Sequence, residues 1–323
     1  MKRQWIRGLF GLACGLGAAV ACAQGYPVKP ISLVVPFPPG ASADGIARIV
    51  GRELSDALGQ PVVVENKPGA GGSLALVNVA RAPADGYTIA MGATGAIAVS
   101  PHLPDAAPLD PQKDLAPIAK LADIPLVVVA GPKSGYASLQ ALLDKARGGT
   151  REISFGTPGQ YTAQHLAGEL LAAMSGVKMV AVPYRGSSLA VTDLMGGQVE
   201  LAVVDLTSAY PHIQAGTLTA LGVTSANRSQ VAPEVPTIAE AGVPGYGAPA
   251  WMGLFAPAGT PPEITARLAQ AMQAALARPD VRAQVVALAA DPSYLGPQAF
   301  ADFIRTQSGQ WADIIKSIPA QPR

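Results

Sequence analysis

Short apolar runs alternate along this chain with longer stretches whose apolar residues recur at helical spacing. Residues 31–35 read as a buried strand, stopped by Pro36-Phe37-Pro38-Pro39-Gly40. Ser42 and Asp44 offer N-cap chemistry, and residues 44–58 then carry Ile46, Ile49, Val50, Leu54 and Leu58 on one helical face. Strands are predicted at 61–65, 87–91 and 125–130, and helices at 74–80 and 139–147. A second strand–turn–helix follows: 153–156, then Thr157-Pro158-Gly159-Gln160-Tyr161-Thr162, then a helix with Ala163, Leu166, Leu170, Leu171 and Met174 on one face. Segments 180–183, 190–195, 201–205, 210–214 and 218–224 continue the alternation. The tail reads as two helices, 262–277 and 297–318, the second burying Phe300, Phe303, Ile304, Trp311 and Ile315. This order predicts an α/β architecture with largely parallel sheets. At 323 residues, without repeats or low-complexity segments, the chain calls for two domains rather than one core.

The two strand–turn–helix units share a physical consequence. The first N–H groups of a helix have no intrahelical acceptor, and the helix dipole places partial positive charge there. A Gly/Pro turn feeding such a terminus can hold an anion. No Lys or Arg lies between Ile31 and Ala47, so an anion held there is held by dipoles. A single unit by itself favours an ordinary βα turn; the recurrence shifts the balance towards the cradle.

Charge and cysteines narrow the picture. Lys2, Arg3 and Arg7, an apolar run from Leu9 to Val20 and Ala21-Cys22-Ala23 form a secretory signal over residues 1–23, too short to span a membrane comfortably. A lipid anchor at Cys22 ranks second, because Ala19 suits that processing poorly. Removing the signal takes the formal net charge from +1 to −2 and removes both cysteines, Cys14 and Cys22. The mature chain therefore has no disulfide, thiolate metal site or cysteine nucleophile. Near-neutral charge without a basic run argues against nucleic acid and membrane surfaces.

The motifs of common enzymes are absent: no G-x-S-x-G, no P-loop, no H-E-x-x-H, no G-x-G-x-x-G. Gly69-Ala70-Gly71-Gly72 comes nearest to a dinucleotide turn, but Leu74 occupies the last glycine position. His165 stands four residues before Glu169, a spacing open to an acid–base or metal pair but more commonly that of a helix-surface or capping histidine. Asp205 ends the apolar strand Leu201-Ala202-Val203-Val204, where a carboxylate either faces the ligand crevice of an open sheet or caps the next segment. Arg185 reads as a carboxylate clamp or a solvated surface residue, and Tyr184 as a pocket wall or core.

The ordered set of segments resembles the Bug-type solute-binding proteins, the periplasmic receptors of tripartite tricarboxylate transporters, over nearly the whole mature chain. It comprises Val35-Pro36-Phe37-Pro38-Pro39-Gly40 with Asp44, Ala47 and Arg48; Glu65 to Gly72; Asp85-Gly86-Tyr87-Thr88; Phe155 to Gly159 with His165-Leu166-Ala167-Gly168-Glu169; Val182 to Gly186; Asp193-Leu194; Gly197-Gln198-Val199; Val223-Thr224-Ser225; Val235-Pro236-Thr237; and Ala256 to Pro261. The resemblance implies a two-lobed, type II-like Venus-flytrap fold with a hinge. One lobe takes residues 24–124 plus 246–323 and the other 125–245, with crossovers near 125–130 and 251–256. It implies a monomeric binding protein without catalytic residues, cofactor or metal, capturing a small organic carboxylate. The closed form is read by membrane permease subunits, or by a sensor protein in a signalling system. Carried over by position, ligand contacts are Phe37, Pro38, Gly40, Ala41, Ser42, Thr94 and Gly95 from one lobe. From the other they are Thr157, Gly159, Gln160, Tyr161, Thr162, His165, Tyr184 and Asp205. Three positions depart from the family pattern: Ala41 and Ala75, where glycine is common, and Tyr161, where a small residue is usual. A tyrosine there either enters the cleft or turns outward. An exported α/β enzyme is the rival reading, opposed by the missing nucleophile–base and metal constellations.

Overall fold

A computed structural model describes residues 25–103, 107–147 and 152–317. The chain opens with β1 (Ile31–Val35), α1 (Ser42–Leu58), β2 (Val62–Asn66), α2 (Ser73–Ala80) and β3 (Thr88–Ala93). A π-helical turn over Gly95–Val99 leads through the single turn α3 (Pro111–Asp114) into the long strand β4 (Leu115–Asp123). Then come β5 (Leu126–Ala130), α4 (Leu139–Arg147), β6 (Ile153–Thr157), α5 (Ala163–Ser175), β7 (Met179–Pro183), α6 (Ser187–Gly196), β8 (Leu201–Asp205), α7 (Leu206–Gln214) and β9 (Thr219–Val223). The chain returns through β10 (Trp251–Pro257), α8 (Pro262–Ala277), α9 (Pro279–Ala287), β11 (Asp291–Leu295) and α10 (Pro297–Ser317).

The strands sort into two sheets, hence two lobes: a six-stranded one in the order β11-β4-β10-β3-β1-β2, and a five-stranded one in the order β7-β6-β8-β5-β9. Neither is largely parallel, a correction to the sequence expectation. β1 pairs in parallel with β2 and β3, and β6 with β7 and β8. The strands next to each crossover, β4, β5 and β10, pair antiparallel with their neighbours, as do β9 and β11. The physical reason is the connectivity: β4 and β5 belong to different sheets and are joined by Ile124 and Pro125 alone, so each enters its sheet from a crossover and not through a strand–helix–strand unit, the connection that makes neighbours parallel. The outgoing and returning segments are stitched together where they pass between the sheets. Ile124 N–H donates to Ala250 O (2.8 Å), Ala248 N–H to Thr224 O (2.8 Å) and Thr224 N–H to Leu126 O (2.9 Å).

The helix starts follow the sequence with one exchange. α1 begins at Ser42, and Ala41 occupies the cap position without a side-chain bond. Asp44, in the first turn, reaches back past the cap to accept Gly40 N–H (3.0 Å), which ties the turn to the helix start. Asp44 also takes Arg48 and the Asn66 amide, which holds its carboxyl below the ordinary range despite burial. Ser42 is the first helical residue and not the cap. β4, α9 and β11 were not anticipated, and the tail helix is described to Ser317.

In the first lobe α10 lays an aromatic cluster on the sheet. Phe300 packs edge-on to Trp251 (5.3 Å between centroids) and tilted to Phe255 (5.3 Å), with Phe303 beyond. The ring of Phe300 lies directly over Gly253: a β-carbon added there would sit 2.3 Å from Phe300 Cζ and 2.7 Å from the Ala119 carbonyl oxygen. The backbone oxygen cannot yield as a side-chain tip would. Gly253→Ala is expected to destabilise the protein by about 1–3 kcal/mol, read by urea denaturation. A change within ~0.5 kcal/mol would refute the close approach.

Candidate functional site

Between the lobes lies a cleft of about 550 Å³, its mouth included. The first lobe contributes Phe37, Pro38, Ala41 and Ser42 from the turn and helix start after β1, Gly71, and Ala93, Thr94 and Gly95 after β3. The second contributes Pro158, Thr162, Ala163 and Gln164 from the turn and helix after β6, Gly186 and Ser187 opening α6, and Asp205 ending β8. Ile124, Ala250, Trp251 and Met252 form the floor along the crossover segments. The helix starts of α1, α5 and α6 thus open on one cleft.

The amides of that cleft are its main polar resource. Ser42 N–H, Ala43 N–H, Ala163 N–H and Gln164 N–H donate to no described residue. Other amides of the same turns are satisfied: Asp44 and Gly45 N–H donate to Ala41 O, and His165 N–H donates to the Thr162 hydroxyl, the cap of α5. Two pairs of free N–H groups, one per lobe, stand at positive helix ends. No Lys, Arg or His is among the described residues lining the cleft.

Asp205 is buried against this cradle. The Ser42 hydroxyl donates to its Oδ2 at 2.6 Å, a bond between lobes, and the Gln164 amide donates to Oδ1. Burial pushes its carboxyl above the ordinary range, and the two hydrogen bonds pull against that. Thr94 braces the floor from both sides, accepting Trp251 N–H (2.8 Å) and donating to Trp251 O (3.3 Å).

Eight of the fifteen residues expected as contacts line the cleft: Phe37, Pro38, Ala41, Ser42, Thr94, Gly95, Thr162 and Asp205. The others stand outside its lining. Gly40 turns the backbone at φ +81° and spends its N–H on Asp44. Thr157 is fully buried, with its hydroxyl on Gly159 O (3.4 Å). Gln160 and Tyr161 face a neighbouring cavity with Ala70, Gly71, Ser73, Gly95, Ser100 and Ala107. Tyr161 therefore turns out of the cleft, at φ +61°, a left-handed conformation that explains why a small residue is usual there. Tyr184 donates its hydroxyl to Asp193 (2.9 Å), and burial followed by Asp193 pushes its phenol up to about 12. Arg185 is exposed, which favours its surface reading over a clamp. Gln164, Ser187 and the floor were missed; an amide beside the expected helix start was the one available signal.

His165 supports the second turn from behind. Its Nδ1 accepts Tyr161 N–H (3.1 Å), its ring meets the Tyr161 ring edge-on at 6.0 Å, and Nε2 lies 3.7 Å from Glu169 Oε1. Burial depresses the imidazole to about 4, so the ring is neutral near pH 7 and Nδ1 is free to accept. Among the described residues no group of three or more His, Cys, Asp or Glu could hold a metal.

A two-lobed α/β molecule with helix N-termini from both lobes around one cleft is the architecture of a solute-binding receptor. The profile of the "Tripartite tricarboxylate transporter family receptor" matches residues 46–319, and the chain belongs to that family, whose members are receptors and not enzymes. It is 40% identical over 313 residues (96% of this chain, 93% of the relative) to the UPF0065 protein in the tcbD-tcbE intergenic region of Pseudomonas sp. strain P51. It is 37% identical over 315 residues (97% and 96%) to Protein BugT of Bordetella pertussis. Among solved structures it is similar to R. palustris Rpa4515 with adipate, with TM-score 0.86, 34% identity and coverage of 90% of this chain and 98% of that one.

The His165 contact makes a pH prediction. A depressed folded pKa contributes stability that is whole above the ordinary value of 6.5 and is lost as pH falls towards 4. Relative to His165→Asn, whose Oδ1 can take the Nδ1 role without titrating, the wild-type folding constant is expected to fall by up to roughly tenfold per pH unit across that window. Urea denaturation of both proteins at pH 7, 5.5 and 4.5 reads it; parallel curves would refute the assignment.

Proposed function

We propose that this receptor captures a small organic carboxylate between its lobes, one carboxylate group resting on the free amides of Ser42, Ala43, Ala163 and Gln164. The observation that carries the reading is those unspent N–H groups at a helix start of each lobe, with Ser42, Ala163 and Gln164 themselves lining a cleft without a cation. Phe37, Pro38, Ala41, Thr94, Gly95, Thr162 and Asp205 line the ligand, joined by Gln164 and Ser187. Gly40, Thr157, Gly159, Gln160, Tyr161, His165 and Tyr184 shape the turns around it. The adipate named with R. palustris Rpa4515 supports an organic acid as the ligand class.

The lobes, 24–124 plus 246–323 and 125–245, hinge on the paired crossover segments. Ligand held by one lobe gains the amides of the other on closure, so the closed population rises by that differential energy. The closed form is then the one recognised by the membrane permease subunits of the transporter. Residues 1–23 act as the export signal and deliver the mature receptor to the periplasm; they lie outside the described residues. No described helix is long and apolar enough to cross a membrane.

A thermal-shift screen of the mature, ligand-stripped protein against organic acids tests the reading. An acid at ~100 times its Kd stabilises the fold by about 2.7 kcal/mol, a visible rise in Tm; no rise with any acid would sink the assignment. Closure has its own test. A β-carbon at Gly95 would meet Ala163 N and Thr162 Cα of the other lobe, each at 3.3 Å. Gly95→Ala is expected to weaken binding of the acid found by the screen by about tenfold, while the ligand-free Tm moves little. Unchanged affinity would mean that this contact is not part of the bound state.

A further inference from the structure

The cleft poses a charge problem that the carboxylate reading leaves open. Among the described residues lining it, Asp205 is the one titratable group. It is buried, and its partners Ser42 and Gln164 are both neutral. The charged groups on the elements packed against it are engaged elsewhere. On α1, Asp44 holds Gly40, Arg48 and Asn66. On α5, neutral His165 takes Tyr161 N–H and faces Glu169. On α6, Asp193 takes the Tyr184 hydroxyl; on α7, Tyr210 donates to Val231 O and His212 stands in the last turn, at the far end from Asp205; and the neighbouring strand β5 carries no charged side chain. A dicarboxylate entering here puts two more acids into one buried cleft with Asp205, and like charges held together there disfavour full ionisation. The helix ends of α1, α5 and α6, each about half a charge, offset fewer than two of those three charges.

We infer that Asp205 selects the ligand by charge: the second terminal group of the ligand enters this cleft only with one positive equivalent, as an ammonium in place of a carboxylate or as a proton taken up on binding. The inference rests on the carboxylate reading. Amino-substituted acids are then the occupants that bind near neutral pH without penalty. A plain diacid binds with uptake of one proton, shared between its own carboxyl and Asp205. The upward push that burial exerts on Asp205 is in the direction this requires.

The probes are adipate and 6-aminohexanoate, which share a carbon chain and differ in one terminal group. Calorimetry on the mature, ligand-stripped chain at pH 6, 7 and 8 reads Kd, and buffers of different protonation enthalpy count protons. Adipate is expected to weaken by about tenfold per pH unit and to take up one proton. The Kd of 6-aminohexanoate is expected to hold within about threefold. In Asp205→Asn, adipate loses its pH dependence and tightens at pH 8, while 6-aminohexanoate weakens. Adipate binding to the wild type with a flat Kd and no proton uptake overturns the inference and leaves the carboxylate reading standing. So does a pH dependence that survives Asp205→Asn. The proton count on the wild type decides the matter even where the variant fails to fold. Binding of neither probe at any pH removes the inference, and the screen above separately decides the reading beneath it.

Discussion

The hydrogen bond from the Ser42 hydroxyl to the Asp205 carboxylate joins the first residue of a helix in one lobe to the last residue of a strand in the other. Both ends are set by long-range packing. α1 is fixed by Ile46, Val50 and Leu54 against its sheet, and β8 by pairing with β5 on one side and β6 on the other. A buried carboxylate must be satisfied or it costs several kcal/mol, so the lobes can sit this close only while Ser42 and Gln164 face it. Thr207 to Leu288 O and Ser229 to Asp291 also join the two lobes. Asp44 is spent on the turn itself, holding Gly40, Arg48 and Asn66, while the Ser42 hydroxyl, at the first helical position, reaches across.

That contact marks where local sequence reading runs out. Two good capping residues, Ser42 and Asp44, stood two apart, and nothing local says that Ser42 bonds instead to a partner 163 residues away in the chain. The strands and helices around both turns were legible, because amphipathic periodicity and Gly/Pro stops are local. Strand direction was not, since pairing depends on which strands meet. Hence β4, β5 and β10 came as antiparallel neighbours in sheets expected to be parallel. β11, Asp-Pro-Ser-Tyr-Leu, has no alternation to announce it and forms because β4 offers an edge.

The same division runs through the site. Its turn residues were visible because a strand, a turn and a helix start are contiguous, and contiguity places them together. Ser187, Trp251 and Met252 were not, because they enter from segments far along the chain. Asp205 was visible as the end of an apolar run, and the structure shows both of its candidate meanings to be half right. It stands at the cap position of α7 without a side-chain cap bond, and it faces the cleft. Tyr161 shows the reverse case. Its backbone occupies a conformation suited to glycine, and the ring is accommodated beside His165, outside the cleft. The departure from the family pattern thus leaves the cradle amides where they are and alters the wall of the adjoining cavity.

A cradle built of backbone amides differs physically from one built of arginine. The N–H groups are held by the helices that carry them, so no side-chain entropy is lost when an anion arrives. Their charge is partial, so the anion is attracted without the tight, desolvated ion pair that slows release. Splitting the amides between lobes makes the attraction conditional: an open molecule presents half the cradle, a closed one the whole. A receptor must hold its solute long enough to be recognised and then surrender it. Separating the two helix ends is enough to halve the attraction, with no side-chain cation to be pulled away from the anion. Asp205 adds the opposing sign to the same space, and under the charge selection proposed above the balance between the amides and one buried carboxylate sets which acids the closed form retains.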